Sequence, residues 1–426
     1  MSTAEVERSN AVMPGATLGS FRLPDELAFV VARGQGADIW SSDGRQFVDY
    51  VLGSGPLVVG HAHPRVVAAL QEQAKRGTTF YYLNEQATRL AEKIAELIPC
   101  AEAVKFCGSG TEATFYALRI ARAATGRDTI LKFSGGYHGA HDYGLHVLGA
   151  EGHVERESDG IPAGVTDSVL VAPFNDLESA RALAEANRER LAAIIVEPVQ
   201  RALMPRPGFL RGLRDICDAT GALLVFDEVV TGFRLKLGGA QEEFGVVPDL
   251  CALAKAMGGG LPLAAVAGRR ALIELTVPGV TPKDRPVYMG NTLNGNPLAC
   301  AAGLATLEVL EEEDGPARIA AMGSLLHQGF HEVASRLDVP LHVIGPPAFG
   351  DPVIGDGNVY DLVTYNAQDR AASTAFGVEL LRRGIFVNPG FKMYVSTAHT
   401  PAHVELTVET AFEALKAVRE QGLIET

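Results

Sequence analysis

The sequence predicts an α/β fold: a large domain on a mainly parallel β-sheet with helices on both faces, then a smaller α+β domain at the C-terminus. Three observations lead there. From about Gln86, helical patterns at 87–98, 111–124, 178–190 and 208–220 alternate with short apolar runs at 103–107, 129–133, 168–172, 192–197 and 222–227. Runs this short between helices read as parallel strands covered on both faces. After about Ala299 the pattern changes: long helical stretches (299–313, 316–336, 370–383, 403–420) surround strand candidates at 340–344, 358–364 and 385–387. Finally, 426 residues exceed what one small core organises.

The elements follow in chain order. Residues 1–12 read as a loose tail; Met1 to Asn10 is polar and lacks the charged-then-apolar layout of a secretory leader. Residues 27–33 and 37–51 read as short strands joined by turns, with Gly44 supplying a positive φ in Ser41-Ser42-Asp43-Gly44. Pro64 suits the first turn of a helix running to Gln73. The expected organisation is an N-terminal segment (1–60) that packs with the small domain and contributes to a substrate site, a large domain (61–300) and a small domain (301–426).

Composition narrows the function. A net charge of −14 disfavours nucleic acid as a partner. No apolar run reaches the ~20 residues of a membrane helix, and a cytoplasmic protein is expected. Five scattered cysteines without a CxxC pair read as reduced thiols rather than a disulfide framework.

Three stretches carry chemistry. Gly108-Ser-Gly-Thr-Glu-Ala113 follows an apolar run and opens a helix, where free N–H groups and the hydroxyls of Ser109 and Thr111 make a phosphate cradle. The spacing also fits a dinucleotide motif, but the acidic residue expected after the next strand is lacking there; Asp128 lies at that strand's start. A ligand-free glycine-rich cap is the bland alternative. Asp227 ends the apolar run 222–227, where a carboxylate enters the ligand crevice of an open sheet or merely caps a turn. Lys255 stands in an apolar neighbourhood before Gly258-Gly-Gly260. Desolvation makes its amine available for a Schiff base, against the alternative of a snorkelling lysine. A pyridoxal 5'-phosphate (PLP) site requires this set: a lysine for the aldehyde, a carboxylate for the ring nitrogen, and a phosphate subsite.

The chain resembles the class III, fold-type I PLP-dependent aminotransferases, in the glutamate-1-semialdehyde aminomutase-like branch. The resemblance runs from about Pro14 to the C-terminus. It rests on Asp49-Tyr-Val, Gly60-His-Ala-His-Pro64, Gly108 to Ala113, Tyr137-His-Gly139, Glu197-Pro198, Val225-Phe-Asp-Glu-Val229 with Thr231-Gly-Phe-Arg234, Lys255 with Gly258 to Gly260, and Thr292-Leu-Asn-Gly-Asn-Pro297. It implies a fold-type I sheet of the seven-stranded type. It implies that Lys255 holds PLP and moves the proton, and that Asp227 pairs with the pyridine nitrogen. Val229 and Tyr137 would cover the two ring faces, Ser109, Gly110 and Thr111 would bind the phosphate, and Glu197 would lie near the ring 3-hydroxyl. Thr292 would reach the neighbouring subunit's phosphate, so a homodimer with shared sites is expected. His61 and His63 lack a third metal ligand and read as structural, and His138 as shaping the loop beside Tyr137.

Substrate residues come from the same resemblance. Arg22, after Pro14-Gly-Ala-Thr-Leu-Gly-Ser-Phe, stands where the branch binds a carboxylate. Ser54 replaces a tryptophan before Gly55-Pro56, Phe391 replaces a glutamate, and Tyr81 and Tyr82 replace small residues. Losing the carboxylate weakens recognition of a diamino intermediate, and aromatics favour an apolar substituent. The leading expectation is therefore transamination from a hydrophobic, aromatic or β-amino donor to a keto acid. An intramolecular aminomutase, a racemase or epimerase, and a nucleotide-binding oxidoreductase are the alternatives.

Overall fold

The computed structural model describes residues 2–19, 21–149 and 152–424. The chain divides into two compact units, one of residues 65–316 and 359–365, the other of 1–64, 317–358 and 366–426.

The larger unit is built on seven strands: β1 (Ala103–Cys107), β2 (Thr129–Phe133), β3 (Val169–Ala172), β4 (Leu191–Val196), β5 (Leu223–Asp227), β6 (Leu250–Leu253) and β7 (Ala264–Gly268). Their order across the sheet is β1-β7-β6-β5-β4-β2-β3. β7 runs antiparallel to both its neighbours, and the other four pairings, β6 with β5, β5 with β4, β4 with β2 and β2 with β3, are parallel. Every residue of β2, β4, β5, β6 and β7 is buried, as strands covered on both faces require, and of these β2, β4 and β5 read in the sequence as apolar runs. Helix α1 (Gly110–Thr125) starts at the Ser109 N-cap and stops at Gly126 (φ 69). Its Ala113, Ala117 and Ala121 belong to one core cluster with Ile195, Val225, Ala252 and Val266 of the sheet.

All strands but β7 share one direction. The segments leaving β1, β2, β4, β5 and β6 therefore emerge along one edge of the sheet, the edge where open α/β sheets bind ligands.

The smaller unit holds two sheets. Val31–Gln35, Asp38–Ser41 and Gln46–Asp49 form an antiparallel meander, with Ile385–Phe386 added parallel to the last. Leu341–Ile344, Phe349–Ile354 and Met393–Tyr394 form the other. Gly44 has φ 91, as its turn requires. Phe29 stacks on Phe47 at 4.5 Å, and the buried Tyr50 hydroxyl meets Thr407 Oγ1 at 2.9 Å.

Several elements depart from expectation. Ser2–Val12 is a helix rather than a loose tail; it has no apolar stripe to announce it, and Glu5 bonds Ser42 in the hairpin turn. In the 27–33 region, a 3₁₀ turn at Asp25–Leu27 precedes a strand that starts at Val31. The strand expected at 358–364 is a turn into the helix Leu362–Asn366, set by Asp361, whose carboxylate accepts Thr364 N at 2.8 Å. The strand lies earlier, at Phe349–Ile354, where Pro352 disguises it. The divisions expected at 60 and 300 fall at 64 and 316. Helix Pro297–Glu312 packs on Glu85–Leu97, with Arg65–Glu312 and Lys93–Glu311 ion pairs beside it. The 359–365 segment stays with the larger unit through Tyr360, whose carbonyl accepts Asn175 Nδ2 at 2.8 Å while Arg206 covers its ring.

Candidate active site

Asp227 is the last residue of β5 and is 4% exposed. It lies opposite Ala252 of β6, so Lys255, three residues on, leaves the carboxyl end of the adjacent parallel strand. The amine and the acid thus emerge from the same edge of the sheet. Asp227 Oδ1 accepts Val229 N at 3.1 Å, and Oδ2 lies 2.8 Å from His138 Nδ1. Desolvation pushes the His138 pKa down to about 3, so the ring is neutral near pH 7 and its Nδ1–H donates to the carboxylate. Its Nε2 is buried and has no hydrogen-bond partner among the described residues.

Lys255 is half-buried, has φ 45, and opens a 3₁₀ turn into Gly259 (φ 57). That glycine answers to packing: a Cβ there would stand 2.5 Å from Thr306 Oγ1 and 2.9 Å from Ala302 O. The close approach expected from the glycine run is therefore, at Gly259, an approach to helix Pro297–Glu312.

Ser109 Oγ caps α1 by accepting Glu112 N at 3.2 Å, which leaves its hydroxyl proton to donate. A Cβ on Gly110 would meet the Val229 methyls at 3.1–3.2 Å, so the start of α1 abuts the residue after Asp227-Glu228. Thr111 Oγ1 accepts Ala140 N at 3.2 Å, and a Cβ on Gly139 (φ 99) would stand 2.6 Å from Thr111 Cα. The Thr114 hydroxyl donates to His138 O. These contacts bind the 109–111 turn to the loop that carries Tyr137 and His138.

Glu197 follows β4. Its Oε1 accepts Tyr137 N at 2.6 Å and its Oε2 accepts Arg201 N at 3.1 Å, so the carboxylate braces the Tyr137 loop. The Arg201 guanidinium stands 5.2 Å from the centre of the half-exposed Tyr137 ring. Thr292 is exposed on the loop before Pro297.

The substrate candidates are less firmly held. Arg22 pairs with Asp25 at 2.8 Å, both largely in solvent; Ser20, two residues before it, lies outside the described residues. Ser54 has φ 69 in an exposed turn. Phe391 is 56% exposed and Tyr82 80%. Arg22, Ser54 and Phe391 belong to the smaller unit, Tyr82 to the larger.

The sequence reading missed Lys132, and it took His138 only as shaping a loop. His138 is a direct partner of Asp227 as well as a loop former. Lys132, on β2, is fully buried; its Nζ donates to Gly144 O at 2.7 Å and His146 O at 2.6 Å, cinching the loop that carries Tyr137. Burial lowers its pKa to about 8. The signal was a lone lysine inside the apolar run 129–133. His61, read as structural, pairs with Asp49 at 2.7 Å.

A family profile described as aminotransferase class-III matches residues 22–349. The chain belongs to the class-III aminotransferase family. Glutamate-1-semialdehyde 2,1-aminomutase of Roseiflexus castenholzii is 41% identical over 422 residues, 96% of each chain. Seven other relatives bearing aminomutase names are 39–42% identical. Among solved structures, an ω-transaminase from Sphaerobacter thermophilus is 34% identical with a TM-score of 0.89, covering 98% of both chains. A transaminase with PLP bound is 27% identical at the same TM-score and coverage. The fold is fold-type I, and PLP is the cofactor of this class-III enzyme. The residues present fit it: an amine and a carboxylate leave adjacent strands, Asp227 is backed by a neutral imidazole, and a hydroxyl-bearing helix start abuts Val229.

Proposed function

We propose that this enzyme relocates an amino group with Lys255 and Asp227 as its working pair, and that the relocation is intramolecular, from carbon 2 to carbon 1 of an aminomutase substrate. The observation that carries the pairing is the Asp227–Ala252 register, which brings the acid and the lysine to one edge of the sheet. When bound, PLP supplies an aldehyde that captures amines and a ring that accepts electrons from substrate carbon. Lys255 Nζ would hold the aldehyde carbon and move a proton on and off the substrate. Asp227 would keep the ring nitrogen protonated, its orientation fixed by His138 Nδ1 and Val229 N. Ser109, Gly110 and Thr111 would bind the phosphate, Val229 and Tyr137 would flank the ring, and Glu197 would act through the Tyr137 loop it braces. Thr292 would serve the phosphate of a second subunit in a homodimer. Arg22 would take the substrate carboxylate by exchanging its solvent-exposed pair with Asp25, a weak interaction at such exposure. Ser54, Tyr82 and Phe391 would line the substrate side chain.

Eight relatives at 39–42% identity with aminomutase names support the intramolecular reading over transfer to a keto acid, which the sequence alone ranked first. Transamination stands second. It is favoured by Phe391, Ser54, Tyr81 and Tyr82, where the branch carries other residues, and by the 34% identity to an ω-transaminase. One experiment separates them. The holoenzyme is given glutamate-1-semialdehyde with no keto acid. Accumulation of the 1-amino, 2-oxo isomer at catalytic turnover supports the aminomutase. An absolute requirement for an added keto acid, with one amino acid formed per donor consumed, overturns it in favour of the transaminase. Loss of donor chirality without transfer would point to a racemase.

A further inference from the structure

We infer that Glu112 and Asn291 form a clamp that sets the geometry of the phosphate subsite, as positioning residues that need not touch the cofactor themselves. This rests on the reading of Ser109 to Thr111 as the phosphate cradle.

Glu112 lies in the first turn of α1. Its Oε2 accepts Gly108 N at 2.7 Å, and its Oε1 accepts Asn291 Nδ2 at 2.7 Å. Asn291 Oδ1 in turn accepts Leu293 N at 2.9 Å, so the side chain spans Thr292. One continuous chain of hydrogen bonds thus joins the residue before the cradle to the 291–293 segment.

Two features mark this chain as more than a helix cap. With Ser109 as N-cap, an acidic residue at Glu112 normally reaches back to the N-cap amide. Here it takes the amide one residue earlier and does not consume that of Ser109. Second, the pair closes directly over Gly108: its φ is not positive, and a Cβ there would lie 2.9 Å from Glu112 Oε2 and 3.3 Å from Asn291 Nδ2, so a side chain at 108 would push the two clamp groups away. A carboxylate beside a phosphate subsite repels the ligand. The helix N-terminus and two donors offset that cost, and the return is a fixed Gly108-Ser109 backbone and a fixed Thr292.

The test compares apoenzyme titrated with PLP and with pyridoxal, which lacks the phosphate, following absorbance of the bound cofactor. Glu112→Gln opposes an amide donor to one of the clamp's own donors, and Asn291→Ala removes one link. Each is expected to raise the dissociation constant for PLP by about tenfold, the worth of one charge-assisted hydrogen bond, and to leave that for pyridoxal within about twofold. Asn291→Asp alone sets two carboxylates together and is expected to weaken PLP further. Combined with Glu112→Gln it reverses donor and acceptor across the pair and is expected to restore PLP binding to within about threefold. Unchanged PLP binding in the single variants, or equal loss of PLP and pyridoxal, would overturn the clamp. If Glu112→Gln does not fold, Asn291→Ala decides by the same comparison. Thr111→Ala is the control for the underlying reading: if it fails to separate PLP from pyridoxal, the phosphate assignment itself is wrong, whatever the clamp variants do.

Discussion

The strand-end residues of the larger unit and the substrate candidates of the smaller one are held in opposite ways. Asp227 and Glu197 are buried, and each carboxylate oxygen has a protein hydrogen-bond partner. Arg22 and Phe391 lie largely in solvent, Arg22 in a single exposed ion pair. The difference teaches where each kind of information sits. Cofactor chemistry needs groups fixed to fractions of an ångström, and the sheet's carboxyl edge supplies that. The substrate candidates sit on exposed segments, which can change without disturbing the core.

Breaking the fixed side should cost most. Lys255→Ala is expected to remove covalent cofactor attachment and cut turnover at least on the order of 10²–10⁴-fold, measured as steady-state kcat. Asp227→Asn, which keeps the shape but loses the charge, is expected to lower kcat on the order of 10²-fold or more while the protein stays folded by circular dichroism. Equal activity would separate the acid from the chemistry.

The sheet of this side was legible from its apolar runs, except β6 and β7. Leu250–Leu253 is wholly buried and runs directly into the Lys255 turn, and Ala264–Gly268 is alanine-rich, so neither has a period or β-branched run to tell strand from helix. The candidate reactive residues could be named from the sequence because the chemistry of lysine, aspartate and a hydroxyl-bearing helix start is local. The His138–Asp227 contact spans 89 residues of sequence, and Lys132 acts on carbonyls across a loop, so tertiary folding alone brings those partners together. The clamp of Glu112 and Asn291, 179 residues apart, escaped for the same reason.

The pH dependence of stability tests both units at once. Burial lowers the pKa of His138 and His141 in the larger unit, and of His399 in the smaller, each to about 3 from 6.5. Between those values the unfolded chain binds more protons than the folded one, so stability rises with pH from about 3 to 6.5 and falls on acidification. Each group contributes at most ~1.4 kcal/mol per pH unit. Urea midpoints at successive pH values check the slope, and His399→Gln should flatten it by one residue's share. The smallest effect belongs to the exposed side: Arg22→Ala is expected to raise KM for carboxylate-bearing substrates about tenfold and to leave simple amines nearly unaffected. An equal response of both classes would remove Arg22 from substrate binding.

Reduction of the purified enzyme with borohydride, followed by peptide mass mapping, tests most directly whether the lysine beside Asp227 carries the cofactor. The expected result is a phosphopyridoxyl group on Lys255 alone. Its appearance on another lysine instead, such as the buried Lys132, would contradict the assignment on which the rest of the mechanism stands.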